Sequence, residues 1–512
     1  MNRAATLALL WLAFSASTPA KDLIGVFEDA LQNDPVIRQA DANRLAAREA
    51  RPQALAALLP QLNGTAGATR DHQSGIQTQL FSVPSPTNPN VTQIIAAQLP
   101  DTADTTTYQW GLNLRQNVFS WSNWMALKAA SREVAQAEAN YAAAEQQLIL
   151  RVAQAYFAVL AADDTLAADQ TALEAIARQL DQANKRFEVG LIAITDVEDA
   201  KAARDTAAAT VIAAKRTLAT TEDQLQEITG QQYDRLAKPG ASMPLANPEP
   251  ADESRWVNIS LEQNLSLVSS RLAADIARDN VRVAIGGHLP TLDVVAGRSY
   301  QQSTADEAFG SAPGTPASSF SDVFNKSNDR QVGLQFTLPI FSGGLTQSKV
   351  RQAQYQWIAA KEAVVQSSRA TERQARDAYL GVISGIARVQ SLRQALASNE
   401  TALKATEAGY EVGTRTSVDV LTARKNLVQA QTDYAGSLYD YIVSVLQLRL
   451  AAGNLDRTQL TELNNWLTVT APTSPATETP ETLMPSTTGS APAAPSGGTP
   501  PQGTAPPPRH RP

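Results

Sequence analysis

Two carboxylates occupy the same place in two copies of one stretch. Asp196 follows Thr195 after a short break in a long helical pattern. Asp419 follows Ser417-Val418 after the matching break, at an offset of 223 residues (419 − 196). A carboxylate in the first turn of a helix can cap it or sit on the positive end of its dipole. A cap contributes about 0.5–2 kcal/mol and a dipole contact less, and position alone favours that role. Catalytic chemistry has no comparable foothold. The histidines His72, His288 and His510 are scattered, no metal-ligand spacing occurs, and no Ser/His/Asp set assembles. Ser342-Gly343-Gly344 lacks the Lys-Ser/Thr of a phosphate loop and suits a bend between elements. Cysteine is absent, which removes disulfides, thiolate metal sites and an N-terminal lipid-modified Cys. The chain is not expected to be an enzyme, and it calls for no cofactor and no metal.

The elements that position these turns come from a duplication. Residues 148–230 and 371–453 superimpose without a gap, Val189-Gly190 falling on Val412-Gly413 and Gly230 on Gly453. Leu148, Val152, Val159 and Leu166 belong to a seam stepping by fours and threes, as do Ala375, Val382, Val389 and Leu403. Asp169 and Asn399 interrupt it. A period of about 3.5 residues describes a left-handed supercoiled pair, or an ordinary antiparallel bundle.

The 512 residues suggest several domains on length alone. Hydrophobic content of 43% with 6% aromatics suits helices around thin cores, and a net charge of −7 argues against nucleic acid. Residues 1–20 read as a signal peptide: Arg3, then an apolar run from Ala4 to Ala16, then small residues. No later stretch matches a spanning helix, so the mature chain is expected outside the cytoplasm, soluble or held in a membrane by strands.

Asp22 to Ala56 reads helical, broken at Asp34-Pro35. The period then becomes two. Tyr108, Trp110, Leu112 and Leu114 share one face, as do Val332, Leu334, Phe336, Leu338 and Ile340, while 61–69 and 291–299 are weaker strands. Residues 73–105 and about 303–328 read as long polar loops closing two hairpins, 231–253 as irregular, and 470–512 as a disordered Pro/Ser/Thr-rich tail. Amphipathic strands of this kind suit an outer-membrane barrel, or a sandwich. Four cannot seal a barrel against lipid, so several copies must contribute, with three the smallest comfortable number. Trp121 to about Arg186 makes a rod on the order of 100 Å.

Several separated motifs occur in one order: Ala30-Leu31-Gln32-Asn33-Asp34-Pro35, Leu59-Pro60-Gln61-Leu62, Arg186-Phe187-Glu188-Val189-Gly190-Leu191, Ala193-Ile194-Thr195-Asp196-Val197, Gly287-His288-Leu289-Pro290-Thr291-Leu292-Asp293, and Gly409-Tyr410-Glu411-Val412-Gly413 through Leu421. Over nearly its whole mature length the chain resembles the TolC family of outer-membrane efflux proteins. The resemblance implies an α+β homotrimeric channel-tunnel in a Gram-negative outer membrane, in contact with its lipid. A twelve-stranded barrel, four strands per chain, would continue into a periplasmic coiled-coil α-barrel. The implied parts are a first repeat (21–230), an equatorial segment (231–258), a second repeat (259–453) and a C-terminal equatorial segment (454–469). It implies an exit duct for drugs, other toxic compounds and type I protein secretion. A periplasmic adaptor and an inner-membrane pump or ABC transporter would recruit the duct, which opens as its hairpins untwist. In the family, a Tyr and an Arg of the second turn hold an Asp and a Thr of the first. The matching positions are Tyr410, Arg415, Asp196 and Thr195. Asp419 matches an acidic ring at the entrance, but the second ring position is Thr422 here. Glu411 and Glu198 add charge nearby or are solvated helix ends. A reading from another class is a periplasmic coiled-coil scaffold or adhesin stalk without transport, which leaves the apolar strand faces unexplained.

Overall fold

Asp34 sets how the folded chain begins. Its carboxylate is 2% exposed and accepts from the amides of Val36 and Ile37, both at 3.3 Å, and from Arg151 Nη2 at 2.5 Å. It ends α1 (Leu23–Asn33) and caps α2 (Pro35–Arg48), whose first residue needs no donor. A short α3 (Ala50–Ala56) follows. The computed structural model describes residues 20–240, 243–309 and 318–472. The expected signal peptide, apart from Ala20, and the expected tail beyond Pro472 lie outside the described residues.

The strands are β1 (Gln61–Ser85), β2 (Asn88–Ser120), β4 (Thr291–Phe309) and β5 (Ser318–Thr337), in one antiparallel sheet ordered β1-β2-β4-β5. The segments expected as long loops are continuations of the ladder. β1 and β2 stay in register from Gln61↔Arg115 to Pro84↔Thr92. The alternation that marks a half-apolar strand fades there because apolar residues such as Ile76, Leu80, Phe81 and Ile95 are mixed with Gln, Ser and Thr on both faces. The backbone hydrogen bonds and β-branched residues such as Thr105, Thr106 and Thr107 still hold the ribbon. At its other end β5 stops at Thr337, short of the expected Ile340, just before Pro339, which has no amide to donate.

Two rods follow the hairpins. α4 (Trp121–Glu188) has 68 residues and α8 (Leu345–Glu411) has 67, about 100 Å each at 1.5 Å per residue. Each returns through a tight turn into a 36-residue helix, α5 (Ile194–Thr229) and α9 (Ser417–Ala452). Both of these end on a left-handed glycine, Gly230 or Gly453. The second repeat also opens on a broken helix pair, α6 (Glu253–Gln263) and α7 (Leu265–Ile285). Asn264 stands where Asp34 did and accepts from Leu267 N at 3.1 Å. Gly343 and Gly344, at φ +60° and +83°, turn the chain from sheet to α8.

The core lies midway along the rods. Leu148, Val152, Tyr156, Phe157 and Leu160 of α4 meet α1, the last turns of α9, Trp256 and a two-stranded sheet. That sheet pairs β3 (Arg235–Pro239) with β6 (Leu467–Pro472), after α10 (Arg457–Asn464). The stretch expected to be irregular thus holds a strand, because a distant segment supplies its ladder. Tyr156 donates to Ala237 O at 2.5 Å, and Lys238 and Tyr439 converge on Asp164 at 2.9 and 2.6 Å.

Candidate functional site

The seams thin towards the turns. Leu166 is buried, whereas Leu173, Ile176 and Leu180 are half-buried, and the last cluster is only Ala183, Val197 and Ala200. So little buried apolar surface leaves this end of the hairpins the least firmly held. The two turns are built alike. Gly190 and Gly413, at φ +74° and +82°, adopt a conformation that costs a side-chain-bearing residue about 1–2 kcal/mol. Leu191 N donates to Arg186 O at 2.9 Å, and Thr414 N to Gly409 O at 2.8 Å.

The two carboxylates then part company. Asp419 closes a capping box: its amide donates to Thr416 Oγ1 at 3.3 Å, and its Oδ2 accepts from Thr416 N at 2.9 Å. The backbone and side-chain bonds from Thr416, joined by the Arg415 charge, hold its carboxyl below the usual carboxylate range. Asp196 makes no cap. The N-cap of α5 is Ala193, without a side-chain bond, and Asp196 sits in the first turn. Its Oδ1 accepts from Ser417 Oγ at 3.4 Å, a contact from turn to turn.

Tyr410 lies under the Arg186 guanidinium, 5.1 Å from the ring centroid. Arg415 is exposed, as is Thr195. Among the described residues, neither Tyr410 nor Arg415 hydrogen-bonds Asp196 or Thr195 within the chain. The chain therefore brings the two turns side by side through Ser417 and Arg186, which sequence reasoning passed over. A signal was available. Copy one has Ile194 where copy two has Ser417, and copy two has Gly409 where copy one has Arg186, so the repeat departs from itself at both contacts. Farther up, Arg424 Nη2 bonds Glu407 Oε1 at 2.5 Å and ties α9 to α8.

At the other end of the rods the sheet has two unlike faces. One carries Leu62, Leu114, Ala296 and Val332 in one row, and Trp110 against Tyr300 in another. The rings of that aromatic pair stack at 6.2 Å. Val332, Leu334 and Phe336 are 85%, 73% and 65% exposed. The opposite face carries Asn113, Arg115, Asp293, Gln331 and Gln335. There Arg115 and Asn117 converge on Asp293 at 2.8 and 3.0 Å, beside a bulge at Asn117/Phe119. No described helix is long and apolar enough to cross a membrane.

Paired rods, a sheet with one apolar face, and two facing turns are the parts of an outer-membrane efflux protein. The chain belongs to the family described as "Outer membrane efflux protein", whose profile matches residues 26–231 and 256–454. It is 35% identical to the outer membrane protein TolC of Vibrio cholerae over 457 residues, 89% of this chain and 96% of that one. It is likewise 35% identical to TolC of Escherichia coli over 473 residues, 92% and 90% of the two chains. Among solved structures, the Campylobacter jejuni CmeC outer membrane channel superimposes with a TM-score of 0.66 at 19% identity, covering 87% of this chain and 89% of that one. The protein is an outer-membrane exit duct of a Gram-negative cell, with a large periplasmic part.

Proposed function

We propose that three copies of this chain complete one duct, their four-stranded sheets closing a twelve-stranded barrel and their helical hairpins a periplasmic tube. The observation that carries this is the pair of open edges. β1 and β5 flank the sheet with no partner strand beyond them among the described residues, while one face is apolar and exposed. An unpaired edge is intolerable in lipid, so it must meet the edge of another copy. Trp110 and Phe119 lie nine residues apart, about 30 Å of strand. Tilted by about 40°, that is roughly 23 Å, close to the ~25 Å apolar band of outer-membrane barrels.

The turns then meet around the axis of the tube. Tyr410 and Arg415 of one copy reach Asp196 and Thr195 of the next, while Asp419 contributes to a single ring of negative charge, Thr422 standing where a second would be. Such exposed links are weak enough to break. A periplasmic adaptor and an inner-membrane pump or ABC transporter favour the open tube by gaining contacts only there, and the hairpins untwist. The cargo is drugs, other toxic compounds and secreted proteins, and the energy comes from the partner. Introduced cysteines at the outer edges of β1 and β5 test the assembly. Oxidation in intact cells should give a covalent trimer, and its absence from every register tried would remove the shared barrel.

A further inference from the structure

The apolar face of the sheet carries three cations that no described residue of the chain neutralises. Arg298 of β4 and Arg330 of β5 are direct partners in the ladder, and Lys326 lies on the same face, paired with Gln302. Like charges set directly opposite each other destabilise a sheet. All three side chains are exposed, and among the described residues no carboxylate comes within 4 Å of them. The residues beside them on this face are Leu112, Trp110, Ala296, Tyr300, Asn328 and Val332, none acidic. Asp329 belongs to the opposite face. Asp306, the next acid of β4 on this side, is eight residues from Arg298, roughly 27 Å, and the acids nearest Lys326 along the ladder, Asp306 and Asp322, are each four residues off, roughly 13 Å.

A neighbouring copy cannot supply the missing charge. The same face of β1 offers Leu62, Gly64, Ala66, Ala68, Arg70 and His72, so no register of β5 against that strand brings a carboxylate. The cations are nevertheless held in place. The Arg298 guanidinium stands 5.8 Å from the centroid of the Trp110 ring, and Lys326 Nζ 5.4 Å from that of Tyr300. This stacked pair marks the limit of the apolar band on the side of the hairpin tips, away from the rods. Arg298 and Arg330 are rooted one row inside that limit and Lys326 one row outside it, and the Arg298 side chain reaches back to the Trp110 ring, so the charged ends meet the lipid headgroups of the outer leaflet.

We propose that Arg298, Arg330 and Lys326 bind the phosphorylated headgroup of an outer-leaflet lipid, with Trp110 and Tyr300 flanking it. The site rests on the lipid-facing assignment of this side of the sheet. Two guanidiniums side by side offer paired donors to phosphate oxygens, and the ammonium a third charge about 13 Å along the strand from Arg330, within reach of a second phosphate. The occupant therefore carries two phosphates on one rigid headgroup.

Native mass spectrometry of the delipidated full-length protein in detergent tests this, with bisphosphorylated lipid A as the probe. Arg298→Gln/Lys326→Gln/Arg330→Gln should bind it about tenfold more weakly or worse. Arg298→Lys/Arg330→Lys, which keeps the charge, should lose about threefold. Equal binding by the wild type and the triple variant overturns the site, as does equal binding of fully dephosphorylated lipid. Displacement of the lipid by millimolar inorganic phosphate also overturns it, in favour of a soluble anion. Failure of the lipid-facing assignment would look different: the protein would leave membranes without detergent, before any lipid was added.

Discussion

Replacing Arg415 with Ser should shift the duct towards its open state. Within one chain, the turns are joined by the Ser417–Asp196 contact at 3.4 Å, near the long limit of a hydrogen bond, and by the Arg186 guanidinium over the Tyr410 ring. In the proposed trimer, closure then depends on links between copies. An exposed Arg–carboxylate link is worth about 0.3–1 kcal/mol, and threefold symmetry removes three at once. The closed state should lose about 1–3 kcal/mol, or roughly 5- to 150-fold in the closed-to-open ratio. Single-channel recording in planar bilayers should show higher mean conductance and longer open events for Arg415→Ser, and a smaller shift for Tyr410→Phe. Ser417→Ala, which removes only the long contact inside the chain, should change conductance little. If neither Arg415→Ser nor Asp196→Ala alters conductance, these residues do not hold the tip and the reasoning is wrong.

Other positions give independent tests. Asp34→Ala removes a helix cap worth about 1 kcal/mol and leaves the half-buried Arg151 unpaired, so unfolding in detergent should show a loss of about 2–4 kcal/mol, with Asp34→Asn losing less. Burial pushes the Glu222 carboxyl up to about 7 and that of Asp163 up to about 6. Carboxyls raised in the folded state bind protons there that the unfolded chain releases, so their contribution is complete below about pH 4 and is lost as pH rises towards 7. The melting temperature should fall between pH 5 and 8, Glu222→Gln should flatten that slope, and a rise with pH would contradict the assignment. Val332→Arg, placed midway across the apolar band, should cost about 2–4 kcal/mol and deplete the protein from outer-membrane fractions. Gln331→Arg, one residue away on the other face, should leave its level unchanged.

Much of the architecture was legible in the chain alone, because it depends on local period. The rods follow from apolar residues repeating every three to four positions, and the breaks from Asp34-Pro35, Val189-Gly190 and Val412-Gly413. Where apolar residues alternate with polar ones, the strands were equally plain. The continuations of β1 and β2 towards their tips were not, because alternation is visible only when the two faces differ. The site was partly legible, since Asp196 and Asp419 are equivalent by position. Their different roles arise where the copies diverge: Tyr410 against Phe187, Arg415 against Ile192, Ser417 against Ile194.

Sequence by itself determined the duplication, the long helical rods with their breaks, and which strand residues share a face, since each is a matter of spacing along one chain. Only the tertiary structure decided that β3 finds β6 across 233 residues (470 − 237), that Ser417 rather than Tyr410 or Arg415 meets Asp196 within the chain, and that Arg298 lies against Arg330. Those are choices of register and partner between distant segments. They are made by the packing of whole elements, and local periodicity carries no record of them.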